Sequence, residues 1–197
     1  YIEGISLFQW LKSPQYNFKH LLSILVQINL ALYVAQNSTG FVHNDLYPWN
    51  IMVSSFNSLF CAYSRTPLTT PKQIHYFINT ETILTMQPEI IPVIVDYGKS
   101  RSVVYEKEWG LIDHGFSNHY RHGQLQDTLS LLYSVLNVLM YENRLSNEEI
   151  GLLQFAKQIG VQDYDNIERW SRFGMLFDFT SMPNAPVSYT HLRAHET

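Results

Sequence analysis

Apolar residues fall at Phe18, Leu21, Leu22, Leu25, Ile28 and Leu32, a spacing that predicts one long buried helix. Asn37-Ser38-Thr39-Gly40 follows with residues that end helices. A different pattern comes next. Phe41-Val42 and Ile51-Met52-Val53 read as short buried strands on either side of a loop, and the continuous apolar run Ile90 to Val95 reads as another strand. The stretch between them, Ser54 to Gln87, is an insertion that opens with Ser, Thr and Pro and reads as a surface loop. Within it Ile74, Tyr76 and Ile78 alternate with His75 and Phe77, which predicts a strand paired with Val93 to Val95. Further on, Ser146 and Glu149 stand in capping-box spacing ahead of Ile150 and Leu153, a helix start.

The polar residues interrupting these runs carry the candidate chemistry. Asp45 and Asn50 share the loop between Phe41-Val42 and Ile51-Met52-Val53, and Asp96 emerges from the end of a buried strand into Tyr97-Gly98. A loop pinned at both ends holds a carboxylate and an amide at constant separation, as a site that positions a nucleophile and a cation together requires. HNDLYPWN resembles the catalytic loop of the protein-kinase-like superfamily, whose pattern is His-x-Asp-Leu-x-x-x-Asn, and VDYGKS resembles that fold's Asp-Phe-Gly segment. YIEGISLFQWL resembles the hinge between two lobes followed by the first helix of the large lobe. QDTLSLLYSVLNVLMY, Gln126 to Tyr141, resembles the central helix of that lobe, in which Asp127 would accept hydrogen bonds from the catalytic-loop backbone. The long insertion, His-Asn-Asp, and Ile-Met after Asn50 are similar to kinase-like proteins of large DNA viruses and their environmental relatives.

The resemblance implies an α+β fold: the mainly helical C-terminal lobe of a protein-kinase-like domain over residues 1–186, with short β-hairpins around the catalytic loop and the N-terminal lobe missing. VSYTHLRAHET, residues 187–197, resembles translated sequencing adapter and is set apart from the fold. The implied activity is transfer of the γ-phosphate of ATP to a hydroxyl, with Mg²⁺. Asp45 would be the base, and Asn50 and Asp96 would hold the metal. The backbone of Ile2 and Glu3 would face adenine, Ser6 would lie near the ribose, and Leu7 and Met52 would sandwich the ring or serve as plain core residues. His43 and Tyr97 would pack together as supports. Without the N-terminal lobe the fragment itself is not expected to turn over ATP.

Departures from the pattern bear on the acceptor. The lysine that neutralises the transferring phosphate in serine/threonine kinases is Tyr47 here, and Asn44 stands where regulated kinases carry an arginine that pairs with a phosphate. SNHYRHG, Ser117 to Gly123, stands where an Ala-Pro-Glu anchor would be. A small-molecule kinase of the aminoglycoside or choline type, or a nucleotide-binding pseudokinase, is therefore weighed beside a protein serine/threonine kinase. Asp127 with Ser130-Leu131 favours a protein hydroxyl, and the trio Asp45, Asn50 and Asp96 disfavours a pseudokinase.

Composition narrows the alternatives further. The net charge of −4 comes with no cluster of Lys and Arg, which disfavours nucleic acid as the main partner. Cys61 is the single cysteine, so no intramolecular disulfide forms, and a reducing, cytoplasmic or host-cell intracellular setting is expected. The apolar segment His20 to Ala35, interrupted by Ser23, Gln27 and Asn29, reads as too short and polar for a membrane span. His114, His119 and His122 lie near Asp113 but match no tight metal motif. Trp10, Trp49 and Trp170 read as core or loop packing, since no basic groove accompanies them.

Overall fold

In the computed structural model the described residues are 4–55, 73–78, 81–110 and 125–162. Ser6 begins the first helix, α1 (Leu7–Lys12), through a reciprocal capping box: its hydroxyl accepts the Gln9 N–H at 3.2 Å, and the Gln9 side chain accepts the Ser6 N–H at 3.1 Å. The helix buries Leu7, Trp10 and Leu11 and stops at Ser13, ahead of Pro14. Three carbonyls left open at that end, those of Leu11, Lys12 and Ser13, accept hydrogen bonds from the Arg144 guanidinium at 2.7–3.0 Å.

Helix α2 (Phe18–Thr39) starts where Asn17 accepts the His20 N–H and ends at Gly40, which takes the left-handed conformation that only glycine adopts freely. Its buried face is Leu21, Ile24, Leu25, Gln27, Ile28 and Leu32. The two polar residues near that face are satisfied. Gln27 donates to the Ile90 carbonyl at 2.9 Å, and Asn29 donates to the Leu25 carbonyl while accepting from the Thr128 hydroxyl. The helix extends beyond the expected His20–Ala35 segment at both ends, and at 22 residues it is long and apolar enough to cross a membrane by length and composition. By that measure it is longer and more apolar than the sequence segment suggested, and a buried core helix meets the same measure, as here, where Gln27 and Asn29 are spent on bonds inside the protein.

Helix α3 (Gln126–Tyr141) is buried around most of its circumference: Leu129, Leu131, Leu132, Tyr133, Val135, Leu136, Val138 and Leu139 all belong to one core cluster with α1 and α2. A helix apolar on nearly every side is a central helix. Helix α4 (Asn147–Gln162) begins after Ser146, where the spacing of Ser146 and Glu149 places its start. The Glu149 carboxylate accepts the Ser146 N–H at 2.8 Å, and the Ser146 hydroxyl accepts the Glu148 N–H at 3.2 Å.

Tyr16 donates to the other Glu149 oxygen at 2.5 Å, which ties the α1–α2 connection to α4. Burial, and then the hydrogen bond to Glu149, push the Tyr16 hydroxyl up. Burial alone would push the Glu149 carboxyl up as well. The Ser146 hydroxyl, the Tyr16 hydroxyl and the Ser146 N–H outweigh it and hold Glu149 below its ordinary value of 4.5. A carboxyl lowered on folding contributes stability above its unfolded pKa and loses it as pH falls through the folded one. The stability gap between wild type and Glu149→Gln should therefore be level near neutrality and shrink below pH 4.5 in urea titrations, where a pH-independent gap would contradict this account.

The strands make three small antiparallel sheets among the described residues, and with the four helices they give an α+β fold. In the first sheet β2 (Ile51–Ser55) is central, flanked by β1 (Ile5–Ser6) and β5 (Ile90–Ile94). Pro92 is tolerated because β5 is an edge strand. Gly4 passes so close to β2 that a Cβ there would lie 2.4 Å from the Val53 carbonyl oxygen. The second sheet pairs β3 (Ile74–Phe77) with β4 (Ile83–Met86), and the third pairs β6 (Arg101–Val104) with β7 (Lys107–Gly110).

Three expectations are corrected here. The strand within the insertion pairs with β4 and not with Val93 to Val95, because β4 follows it closely in the chain, with the Ile78 N–H donating to the Thr82 carbonyl at 3.0 Å beside the pair. Phe41-Val42 does not form a strand beside β2, since β1 and β5 occupy both its edges. Val42 makes an isolated bridge to Arg101 instead. Ser54 and Ser55 belong to β2, with Ser54 buried, which corrects the surface loop expected from Ser54 onward. The rest of the Ser/Thr/Pro part of the insertion with Cys61, the tail at 187–197, the histidines 114, 119 and 122, Asp113, Ser117 to Gly123 and Trp170 lie outside the described residues.

Candidate functional site

Three connections converge on the segment 41–50. The first is buried. Asp127, in the first turn of α3, accepts the backbone N–H of His43 at 2.7 Å and of Asn44 at 3.0 Å, the role expected of it from the sequence. Burial pushes the Asp127 carboxyl up, and the two N–H groups and the nearby imidazole pull against that. The second is a reciprocal pair of backbone hydrogen bonds, from the Val42 N–H to the Arg101 carbonyl and from the Arg101 N–H to the Val42 carbonyl, each 2.8 Å. The third runs from β5: the His43 ring shares a hydrogen bond of 3.1 Å with the Val95 carbonyl, and the Val95 N–H donates to the Asn50 carbonyl at 3.0 Å.

His43 is fully buried and packs against Tyr97, with ring centroids 5.4 Å apart, and Phe41 completes the group at 6.2–6.3 Å from both. The Tyr97 hydroxyl donates to the Ile94 carbonyl. These two residues are supports, as their setting beside apolar strands suggests. Leu46, two residues beyond Asn44, is also fully buried, so the loop is anchored by side chains as well as backbone.

This frame presents Asp45 in a defined environment. Pro48–Asn50 forms a 3₁₀ turn that folds Asn50 back, and its amide nitrogen donates to the Asp45 backbone carbonyl at 2.9 Å and to Asp45 Oδ2 at 3.2 Å. The Asn50 donor is thereby used inward, which leaves Oδ1 as its available oxygen. A second donor, Lys99 Nζ, reaches the same Asp45 Oδ2 at 2.9 Å. Among the described residues both donors act on one oxygen, so Asp45 Oδ1 remains as an acceptor. Tyr47 lies stacked on Trp49, with centroids 4.8 Å apart and planes 16° from parallel.

Asp96 caps the 3₁₀ turn Tyr97–Lys99 through its Oδ1, which accepts the Gly98 N–H at 3.4 Å. Its backbone is left-handed at φ 60°, and Asn44 on the facing loop is left-handed at φ 64°. Such conformations cost a non-glycine residue about 1 kcal/mol or more and persist only where the surroundings enforce them. The Asn44 side chain contributes to that enforcement by donating to the Lys99 carbonyl at 2.9 Å.

The structure thus brings Asp45 and Asn50 together and sets the turn that follows Asp96 against their loop. The other expected site residues within the described range lie on β1, α1 and β2, the elements packed beside or continuing from the Pro48–Asn50 turn. The Ser6 hydroxyl is the cap of α1, Met52 faces Ser6 across β1 and β2, and Leu7 is fully buried in the core. Ile2 and Glu3 lie outside the described residues. Sequence reasoning missed Lys99 and Arg144. The signal for Lys99 was its place in VDYGKS beside a loop lacking its own lysine; Arg144 left no local signal.

No protein-family model matches the chain. It is 34% identical over 134 residues, 62% of its length, to Uncharacterized protein 179R of Invertebrate iridescent virus 6. It is 31% identical over 147 residues, 71% of its length, to Uncharacterized protein 035R of Invertebrate iridescent virus 3. Uncharacterized protein ZK177.2 of Caenorhabditis elegans is 30% identical over 97 residues, covering 49% of this chain and 27% of that protein. The chain spans about a tenth of the length of the two viral relatives, 10% and 12%.

Proposed function

We propose that this chain is the large-lobe part of an ATP-dependent phosphotransferase of the protein-kinase-like superfamily that phosphorylates a serine or threonine hydroxyl of a protein. The observation that carries this reading is Asp45: a carboxylate oriented through one oxygen by Asn50 and Lys99, with its other oxygen left as an acceptor, on a loop fixed by buried Asp127. Phosphoryl transfer needs little covalent chemistry from a protein; it needs a base at the acceptor and neutralised charge. Asp45 Oδ1 takes the acceptor proton as the oxygen attacks, and Asn50 holds the carboxylate still while it does.

The donor set suits a hard cation. Asn50 Oδ1 and the Asp96 carboxylate are oxygen donors, the kind that Mg²⁺ takes while it keeps waters and shares phosphate oxygens. The chemistry supplied by bound Mg²⁺ is charge neutralisation on the phosphates.

Tyr47, stacked on Trp49 where a lysine would stand, favours a second reading in which the acceptor is an amino alcohol or aminosugar. One experiment separates the two. The complete gene product is incubated with γ-labelled ATP and Mg²⁺, with basic proteins in one arm and small amino-alcohol and aminosugar acceptors in the other. Label on protein is the expected result, and label confined to small acceptors would overturn the choice of substrate.

A further inference from the structure

We propose that Lys99 supplies the positive charge that the loop at Tyr47 lacks, so that the phosphate-neutralising cation of this enzyme sits on the turn after Asp96 instead of two residues after Asp45. The inference rests on the phosphotransferase reading and deepens it. Three observations carry it. Lys99 Nζ lies 2.9 Å from Asp45 Oδ2, where a charge can serve the carboxylate and a phosphoryl group approaching it. The Asp45 side chain is 17% exposed and the Lys99 side chain 45%, so the carboxylate is held within the loop while the ammonium group stays open to an incoming phosphate. The backbone carrying Lys99 is held in place: Asn44 donates to its carbonyl, and the next residues, Ser100 and Arg101, bond to the carbonyls of His43 and Val42.

Asn44 acquires a role on this account. Its side chain fastens the turn that delivers the ammonium group, which explains an amide at the position where the resemblance expects arginine. Tyr47 is meanwhile engaged in its stack on Trp49 and brings no charge.

The step balances as follows. The acceptor oxygen forms a bond to the γ-phosphorus while the bond from that phosphorus to the β–γ bridging oxygen breaks. The acceptor proton passes to Asp45, and the electron pair of the broken bond leaves on ADP. Lys99 Nζ pairs with a non-bridging oxygen of the phosphoryl group in flight. Charge stabilisation of this kind acts on kcat more than on KM.

The test uses the complete gene product with Lys99→Met, Lys99→Arg and the double variant Lys99→Met/Tyr47→Lys. Lys99→Met is expected to lower kcat about 10²-fold. Arg should retain most of the activity, and Tyr47→Lys should restore part of what Met removes. A second readout needs no turnover: Lys99→Met should weaken binding of adenosine β,γ-imidotriphosphate while leaving ADP unchanged. A wild-type protein that transfers phosphate and a Lys99→Met variant with wild-type kcat would overturn the inference and leave the enzyme reading intact. Equal loss of kcat in the Met and double variants, with both nucleotides bound as before, would assign Lys99 a merely structural role and also overturn it. A wild type that transfers nothing, yet loses triphosphate selectivity on Lys99→Met, would overturn the enzyme reading and support Lys99 as a γ-phosphate contact. A protein that neither transfers phosphate nor binds nucleotide overturns both.

Discussion

Asp45→Asn is expected to lower kcat by about 10²–10⁴-fold, the usual worth of a positioned general base, with ATP affinity close to wild type. Asparagine keeps the size of the side chain and can still accept from Asn50. It cannot take a proton, and it offers Lys99 no charge. kcat and kcat/KM should fall together, since the lost interaction is made in the transition state. Steady-state kinetics on the complete gene product checks this. A variant with wild-type kcat would remove Asp45 from the chemistry.

Asp127→Ala has the largest expected effect on the fold around the site. It removes the acceptor of both N–H groups, at a cost of about 1–3 kcal/mol for the buried one of His43 and less for that of Asn44, which is only partly buried. Asp127→Asn should fall between alanine and wild type, because an amide offers one oxygen where the carboxylate offers two. Hydrogen exchange reads the damage locally: the amides of His43 and Asn44 should exchange much faster in the alanine variant than in wild type. Unchanged protection of those two amides would mean that the loop is held by its other ties, to Arg101 and Val95.

The elements most legible in the sequence were those whose cause is local. The spacing from Phe18 to Leu32 with Gly40 behind it located α2, and Ser146 with Glu149 located the start of α4. Pairing was harder, because a strand's own pattern does not name its neighbour. Phe41-Val42 had the composition of a strand but no free edge of β2 to join. The β6–β7 hairpin was also hidden. Its turn residues, Tyr105 and Glu106, both take positive φ, the backbone such turns demand, without the Asn-Gly or Asp-Gly that usually announces it.

The site divides in the same way. Asp45, Asn50 and Asp96 stood out in the sequence because they interrupt apolar runs, and the roles proposed for them come from the resemblance. Asp127 was readable only through the resemblance, its partners lying 83 and 84 residues away. Lys99 was in view in the sequence, yet its contact with Asp45 spans 54 residues and depends on Asn44 fastening the turn. Arg144 reaches back more than 130 residues to close α1, a contact that no local pattern encodes.

The most direct measurement of the central claim is the fate of the terminal phosphate of ATP. The complete gene product with Mg²⁺ and acceptor would be given α-labelled ATP in one reaction and γ-labelled ATP in another, with Asp45→Asn in parallel. The account predicts that only the γ label reaches the acceptor and that Asp45→Asn all but abolishes it. Nucleotide bound with no label transferred by the wild type, or equal transfer by wild type and Asp45→Asn, would contradict it.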